Sequence, residues 1–157
     1  MRHAKSSWKE PGQADHDRPL NKRGRRDAPR IGEALAARDW VPERVLSSTS
    51  ARTRETWSLV ADAFDSPPEV ELLPSLYLAG RPAFQEAVEG VSPHVACVMV
   101  LGHNYGWEEV VEWLCGDEVR MTTANAALLS CEGETWEDAL AGAPSWRLHA
   151  VLRPKEL

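Results

Sequence analysis

Arg2 and His3 stand together near the start of the chain, Arg52 closes the run Thr49-Ser50-Ala51-Arg52, and His103 sits in Leu101-Gly102-His103-Asn104. Imidazole changes charge near neutrality and serves as nucleophile or proton carrier. Guanidinium stays charged and offers planar, paired donors that match phosphate oxygens. Arg18, in Asp17-Arg18-Pro19-Leu20, is a further candidate. Converging on one pocket, two imidazoles and at least two guanidiniums would suit a phosphoryl group. Each residue also has a bland reading: an Arg-His pair near a terminus is commonly solvated, and Arg52 can pair with Glu55 along a helix face. Those readings weaken only jointly. His16, His94 and His149 have no comparable setting and read as surface or packing residues. Cys97, Cys115 and Cys131, odd in number and widely spaced, fit neither a disulfide framework nor a zinc motif and read as buried or idle thiols.

The elements that would position these residues follow from periodicity. Val95-Ala96-Cys97-Val98-Met99-Val100-Leu101 is an unbroken apolar run, the pattern of a strand buried on both faces of a parallel sheet. It ends at Gly102-His103, after which Trp107, Val110, Val111 and Leu114 keep helical spacing. A second strand, loop, helix unit runs through residues 44–48, then Thr49-Ser50-Ala51-Arg52, then a stripe of Trp57, Val60, Ala61 and Phe64. Residues 70–73 read as a short strand, and Phe84, Ala87, Val88 and Val91 as a helix face. Ala28, Ile31 and Leu35 predict a helix through about residue 38, with Pro29 in its first turn or at a kink. Residues 124–130 and 146–152 read as two more strands, separated by an acidic loop at 132–138 and a turn around Gly142-Ala143-Pro144. Alternating strands and helices imply an α/β sandwich with a mainly parallel sheet. In such sheets ligands gather at the carboxyl ends of strands, where Arg52 and His103 fall.

At 157 residues the length predicts a single domain over 1–157. Hydrophobic content of 43% and charged content of 27% are those of a soluble protein, and no apolar run approaches the roughly 20 residues of a membrane span. No signal-type stretch follows the early charges, so the cytoplasm is the expected compartment. Net charge is −6 but uneven: residues 1–54 carry 13 Lys and Arg against 7 Asp and Glu, and the remainder 5 against 17. The basic part attracts anions and can mark a nucleic-acid surface; its bases come in short groups with few aromatic residues among them, so phosphate on something smaller is at least as much expected, and the charge alone decides little.

Taken in order, four segments resemble the motifs of the histidine phosphatase superfamily, which includes the phosphoglycerate mutases: Arg2-His3-Ala4-Lys5-Ser6-Ser7-Trp8; Asp17-Arg18-Pro19-Leu20-Asn21-Lys22-Arg23-Gly24; Ser47-Ser48 with Ala51-Arg52-Thr53; and Leu101-Gly102-His103-Asn104. The nearest resemblance is to SixA-type phosphohistidine phosphatases. It implies a three-layer α/β/α sandwich and a cytoplasmic, metal-independent phosphatase without cofactor. By the same resemblance His3 matches the nucleophile that becomes phosphohistidine, Arg2, Arg52 and Arg18 match the arginines that grip phosphoryl oxygens, and His103 matches the second pocket histidine. Ser6 and Asn104, inside the same motifs, are candidates for substrate contact. The implied substrate is a phosphorylated one, such as a phosphohistidine-bearing protein domain. A broad phosphomonoesterase of the same fold and a non-catalytic phosphate-binding module are the alternatives.

Three departures bear on these expectations. Relatives place an apolar strand directly before the Arg-His pair, whereas here Met1 alone stands before Arg2; either the true start lies upstream, or the first strand is truncated and His3 is left without its lead-in. Relatives that cleave esters supply a carboxylic acid after the third strand, and residues 72–85 contain no Asp or Glu. A phosphoramidate, whose imidazole leaves without a donated proton, is therefore the expected substrate class. Asn104-Tyr105-Gly106-Trp107 is bulkier than the Pro and Leu common there.

Overall fold

A computed structural model describes residues 1–157. Three parallel strands form its centre in the order β2–β1–β3: β1 is Arg44–Ser48, β2 Val70–Leu73 and β3 Val98–Leu101. Val45 stands opposite Val70 on one side and Met99 on the other. Side chains alternate across this sheet, as the period of a strand requires. Val45, Met99 and Leu101 face a core shared with α1 (Lys22–Ala36) and α2 (Ala51–Ala61), where Ile31, Leu35, Trp57 and Val60 pack. Leu46 and Val100 face the opposite core, formed with α3 (Arg81–Glu89), α4 (Gly106–Cys115) and α5 (Trp136–Ala141) through Phe84, Val88, Trp107, Val110 and Leu140. Helices on both faces of a parallel sheet make the expected three-layer α/β sandwich.

Several local expectations are corrected. The apolar run 95–101 is strand only from Val98; before it, Glu43 folds over, its side chain accepting from Ala96 N at 3.2 Å while its own N–H donates to Cys97 O at 2.9 Å. β4 (Ala126–Ser130) and β5 (Arg147–Leu152) form an antiparallel pair. The acidic segment 132–138 is partly helix: Thr135 caps α5 by accepting from Asp138 N at 3.1 Å. α1 begins at Lys22, capped by the Asn21 side chain accepting from Gly24 N at 2.9 Å, so Pro29 lies mid-helix. No helix is long and apolar enough to cross a membrane.

The first residues occupy the space between the two sheets. Arg2 bridges Gly102 in parallel fashion, while Arg2 N donates to Asn125 O at 3.0 Å on the other side. His3 N donates to Gly102 O at 3.1 Å, Ala124 N donates to His3 O at 3.0 Å, and the Met1 amine donates to Val100 O at 2.7 Å. His3 is therefore held from both sides. Behind Met1 an apolar cleft of about 670 Å³ runs between Val98–Val100 of β3 and Ala126–Ser130 of β4, away from the histidines.

Candidate active site

His3 and His103 meet at the carboxyl end of the parallel strands, with ring centroids 5.2 Å apart. Their solvent exposures are 7% and 1%. Ala4 N–H donates to Thr56 Oγ1 at 2.9 Å, which ties the turn after His3 to α2. His3 Nδ1–H donates to Ala4 O at 2.7 Å, and this sets the tautomer. Its Nε2 is then the atom with the free lone pair, and it accepts from Arg52 Nε at 3.3 Å.

Arg52 projects from the first turn of α2. Its Nη2 also donates to His103 Nδ1 at 3.2 Å, which leaves His103 Nε2–H to donate to Ser48 Oγ at 2.9 Å. Both rings are neutral by this hydrogen-bond logic. Burial, with the charges of Arg52, Arg2 and Arg18, holds His3 down to about 3 despite its bond to Ala4. Burial, then His3 and Arg52, holds His103 at about 3 as well.

Arg18 stands across the mouth. Its Nε donates to Ser7 O at 2.9 Å, its Nη2 donates to Ser6 Oγ, and its guanidinium lies 3.3 Å from the centre of the Trp8 ring. Asp15, in the 3-10 turn Asp15–Asp17, joins the two arginines. Oδ1 accepts from Arg18 Nη1 at 2.5 Å, Oδ2 accepts from Arg52 Nη2 at 3.0 Å, and its backbone oxygen accepts from Arg52 Nη1 at 2.6 Å. Tyr77 Oη–H donates to Asp15 Oδ2 at 2.6 Å, and its ring sets an edge against His103. Partial burial favours the neutral acid at Asp15, but the Tyr77 hydrogen bond and the charges of Arg52 and Arg18 outweigh it and hold the carboxyl down to about 2.

Arg2 lines the opposite side. Its Nη1 donates to Met121 O at 2.8 Å, and its buried Nε has no partner in the protein. Asn104 Nδ2 donates to Met121 O at 2.8 Å and to Glu108 Oε1 at 2.7 Å, while its buried Oδ1 is unpartnered. Buried polar atoms are rarely left unpaired, and an oxyanion would satisfy an Nε–H there.

His3, His103, Arg2, Arg52 and Arg18 thus line one pocket, with Ser6 holding Arg18 and Asn104 beside Arg2. The Arg52–Glu55 pairing does not form; Glu55 instead accepts from Arg25 Nη2 at 3.1 Å. His16 is a surface residue as read, and it borders the site: Nε2 bonds Thr49 Oγ1 at 2.9 Å and the ring meets Tyr77 edge-on. Sequence reasoning missed Asp15, Tyr77, Ser48 and Thr56. Asp15 had a signal, three residues before Arg18. Tyr77 lies in the segment 72–85 that carries no carboxylate, and only its contact with Asp15 reveals it.

Comparison with known proteins gives this pocket its relatives. The family model of the histidine phosphatase superfamily, branch 1, matches residues 1–76. An uncharacterized chloroplastic protein of Arabidopsis thaliana is 38% identical over 165 residues, covering 98% of this chain and 76% of that protein. The solved structure of a provisionally named phosphohistidine phosphatase SixA from Agrobacterium tumefaciens superposes with a TM-score of 0.83 at 29% identity, over 98% of this chain and 95% of that one. A second provisionally named SixA, from Nakamurella multipartitia, gives 0.85 at 29% identity over 98% and 93%. The matched residues 1–76 contain His3, Arg18 and Arg52, and the superposition extends through the strand end that carries His103. With the fold, the family match and the full-length structural likeness in agreement, the chain belongs to the histidine phosphatase superfamily.

Proposed function

We propose that this phosphatase acts on phosphohistidine and passes the phosphoryl group through a covalent intermediate on His3, with residues 1–157 forming one catalytic domain. The observation that carries this reading is the state of His3: a buried, neutral ring whose Nδ1–H is committed to Ala4 O and whose Nε2 lone pair opens onto the guanidiniums. A neutral imidazole is the nucleophilic form. Nε2 attacks phosphorus as the bond to the leaving group breaks. Arg2, Arg18 and Arg52 hold the phosphoryl oxygens and stabilise the charge that spreads over them in the transition state, without reorganising. His103, fixed by Ser48, contributes from the other wall. Water then cleaves the P–N bond on His3. The guanidiniums already supply the positive charge, so the proposed mechanism uses no metal. Ser6 fixes the reach of Arg18, and Asn104 borders the Arg2 side.

The leaving group narrows the substrate. Glu71 is drawn to Arg44 at the exposed sheet edge, away from the pocket. Asp15 is the carboxyl that reaches the arginines, and at about 2 it is an anion that has no proton to donate. An alkoxide leaves badly without one, whereas the imidazole of a phosphohistidine carries its own. The resemblance to SixA proteins supports the same substrate.

Incubation with a phosphoramidate and intact mass measurement tests the intermediate. An acid-labile, alkali-stable phosphoryl adduct is expected on the wild type and not on His3→Ala; hydrolysis retained by His3→Ala would remove the nucleophile. A second reading, a broad phosphomonoesterase, is favoured by Tyr77, whose hydroxyl lies at the mouth and stays protonated because burial and Asp15 push it up. Equal turnover of phosphohistidine and phosphoserine peptides would select it. Phosphate binding without any adduct would select a non-catalytic module.

A further inference from the structure

The Asp15 carboxylate is at once clamped and incompletely used. A carboxylate offers about four lone-pair positions. Three are engaged, by Arg18 Nη1, Arg52 Nη2 and Tyr77 Oη, and the side chain is still 41% exposed at the mouth. One guanidinium, that of Arg52, separates it from His3 Nε2. Asp15 thus stands on the exposed side of that guanidinium, and His3 on its buried side. It is the one side-chain carboxylate ion-paired to any of the pocket arginines.

Resting on the phosphatase reading above, we infer that Asp15 selects the leaving group: its free lone pair accepts the ring N–H of a phosphohistidine imidazole. In the substrate, one ring nitrogen carries phosphorus and the other a proton, so the ring is cationic. As His3 Nε2 bonds to phosphorus, the P–N electron pair returns to the ring. That pair cancels the ring's positive charge, and neutral imidazole departs with its N–H still on Asp15. No proton is transferred in the step, in keeping with a carboxylate that has none. Asp15 holds the ring in its protonated form, and the protonated ring is the better leaving group. The same negative charge repels anionic leaving groups and gives nothing to an alkoxide. Tyr77 holds the carboxylate in place, and the two arginines keep it ionised.

Asp15→Asn tests this, because it keeps the shape and one acceptor while removing the charge. The readout is the ratio of kcat/KM for a phosphohistidine peptide to that for p-nitrophenyl phosphate, whose phenolate leaves unaided. Effects on guanidinium placement weigh on both substrates and cancel in the ratio. A hydrogen bond to a charged group is worth about tenfold or more, so the ratio is expected to fall by about that factor. Asp15→Glu, which moves the carboxylate by one methylene, is expected to restore part of it and serves as the second variant should Asp15→Asn fold poorly. If the wild type prefers phosphohistidine and both variants keep that preference unchanged, Asp15 only places the arginines and the inference is overturned. A wild type with no preference instead overturns the proposed substrate, and this inference falls with it. The two failures differ in whether the preference is ever seen.

Discussion

Acid should destabilise this fold through its two buried imidazoles, His3 and His103, and the size of the effect follows from the structure. His3 and His103 are neutral in the folded protein, held at about 3, against about 6.5 in an unfolded chain. Their folded values are depressed, so below about 6.5 the unfolded state binds more protons and stability falls with falling pH. Between pH about 7.5 and about 5, each imidazole costs about 2 kcal/mol. This holds wherever the folded value lies, provided the ring stays neutral at pH 5. Together they remove about 4 kcal/mol, a large part of the 5–15 kcal/mol typical of a domain. Asp15, held down to about 2, loses its contribution only as pH falls through the ordinary carboxylate range, below this window. The assay is urea unfolding at the two pH values on the wild type and on His3→Gln/His103→Gln; groups common to both proteins cancel. The wild type should lose about 4 kcal/mol more than the double variant, and each single variant about half the difference. Saturating inorganic phosphate should shrink the wild-type loss, since a bound anion favours the imidazolium. Parallel loss in wild type and double variant would refute the reasoning, because the histidines would then not be buried neutral bases.

Other outcomes can be checked separately. Arg52→Lys should fold normally yet lose about 100-fold or more in kcat/KM, because a single ammonium cannot span His3, His103 and Asp15. Thr56→Val should lower stability in urea unfolding by about 1–3 kcal/mol, since it leaves Ala4 N–H buried without an acceptor. In Gly102→Ala the added Cβ would lie 2.6 Å from the Trp107 ring, so a loss of about 1–3 kcal/mol is expected, with reduced activity from the displaced His103 segment.

What the sequence determined by itself is periodic and chemical. Helical spacing located the α2 and α4 stripes, the apolar run located β3, and the Arg and His types at strand ends marked an anion pocket before any coordinates. These signals are local: each depends on residues a few positions apart, whose burial is dictated by strand or helix period. The tertiary structure decided the pairings. Arg52 could have met Glu55 one turn along its own helix; it meets Asp15 and two histidines because β1 and α2 aim it across the sheet end. Tyr77 finds Asp15 from 62 positions away, a contact no periodicity encodes. The antiparallel pairing of β4 and β5 and the seating of Met1–His3 between Gly102 and Asn125 were likewise set by packing. Residue type and spacing determine which face a side chain occupies, but only the assembled layers determine what stands opposite it.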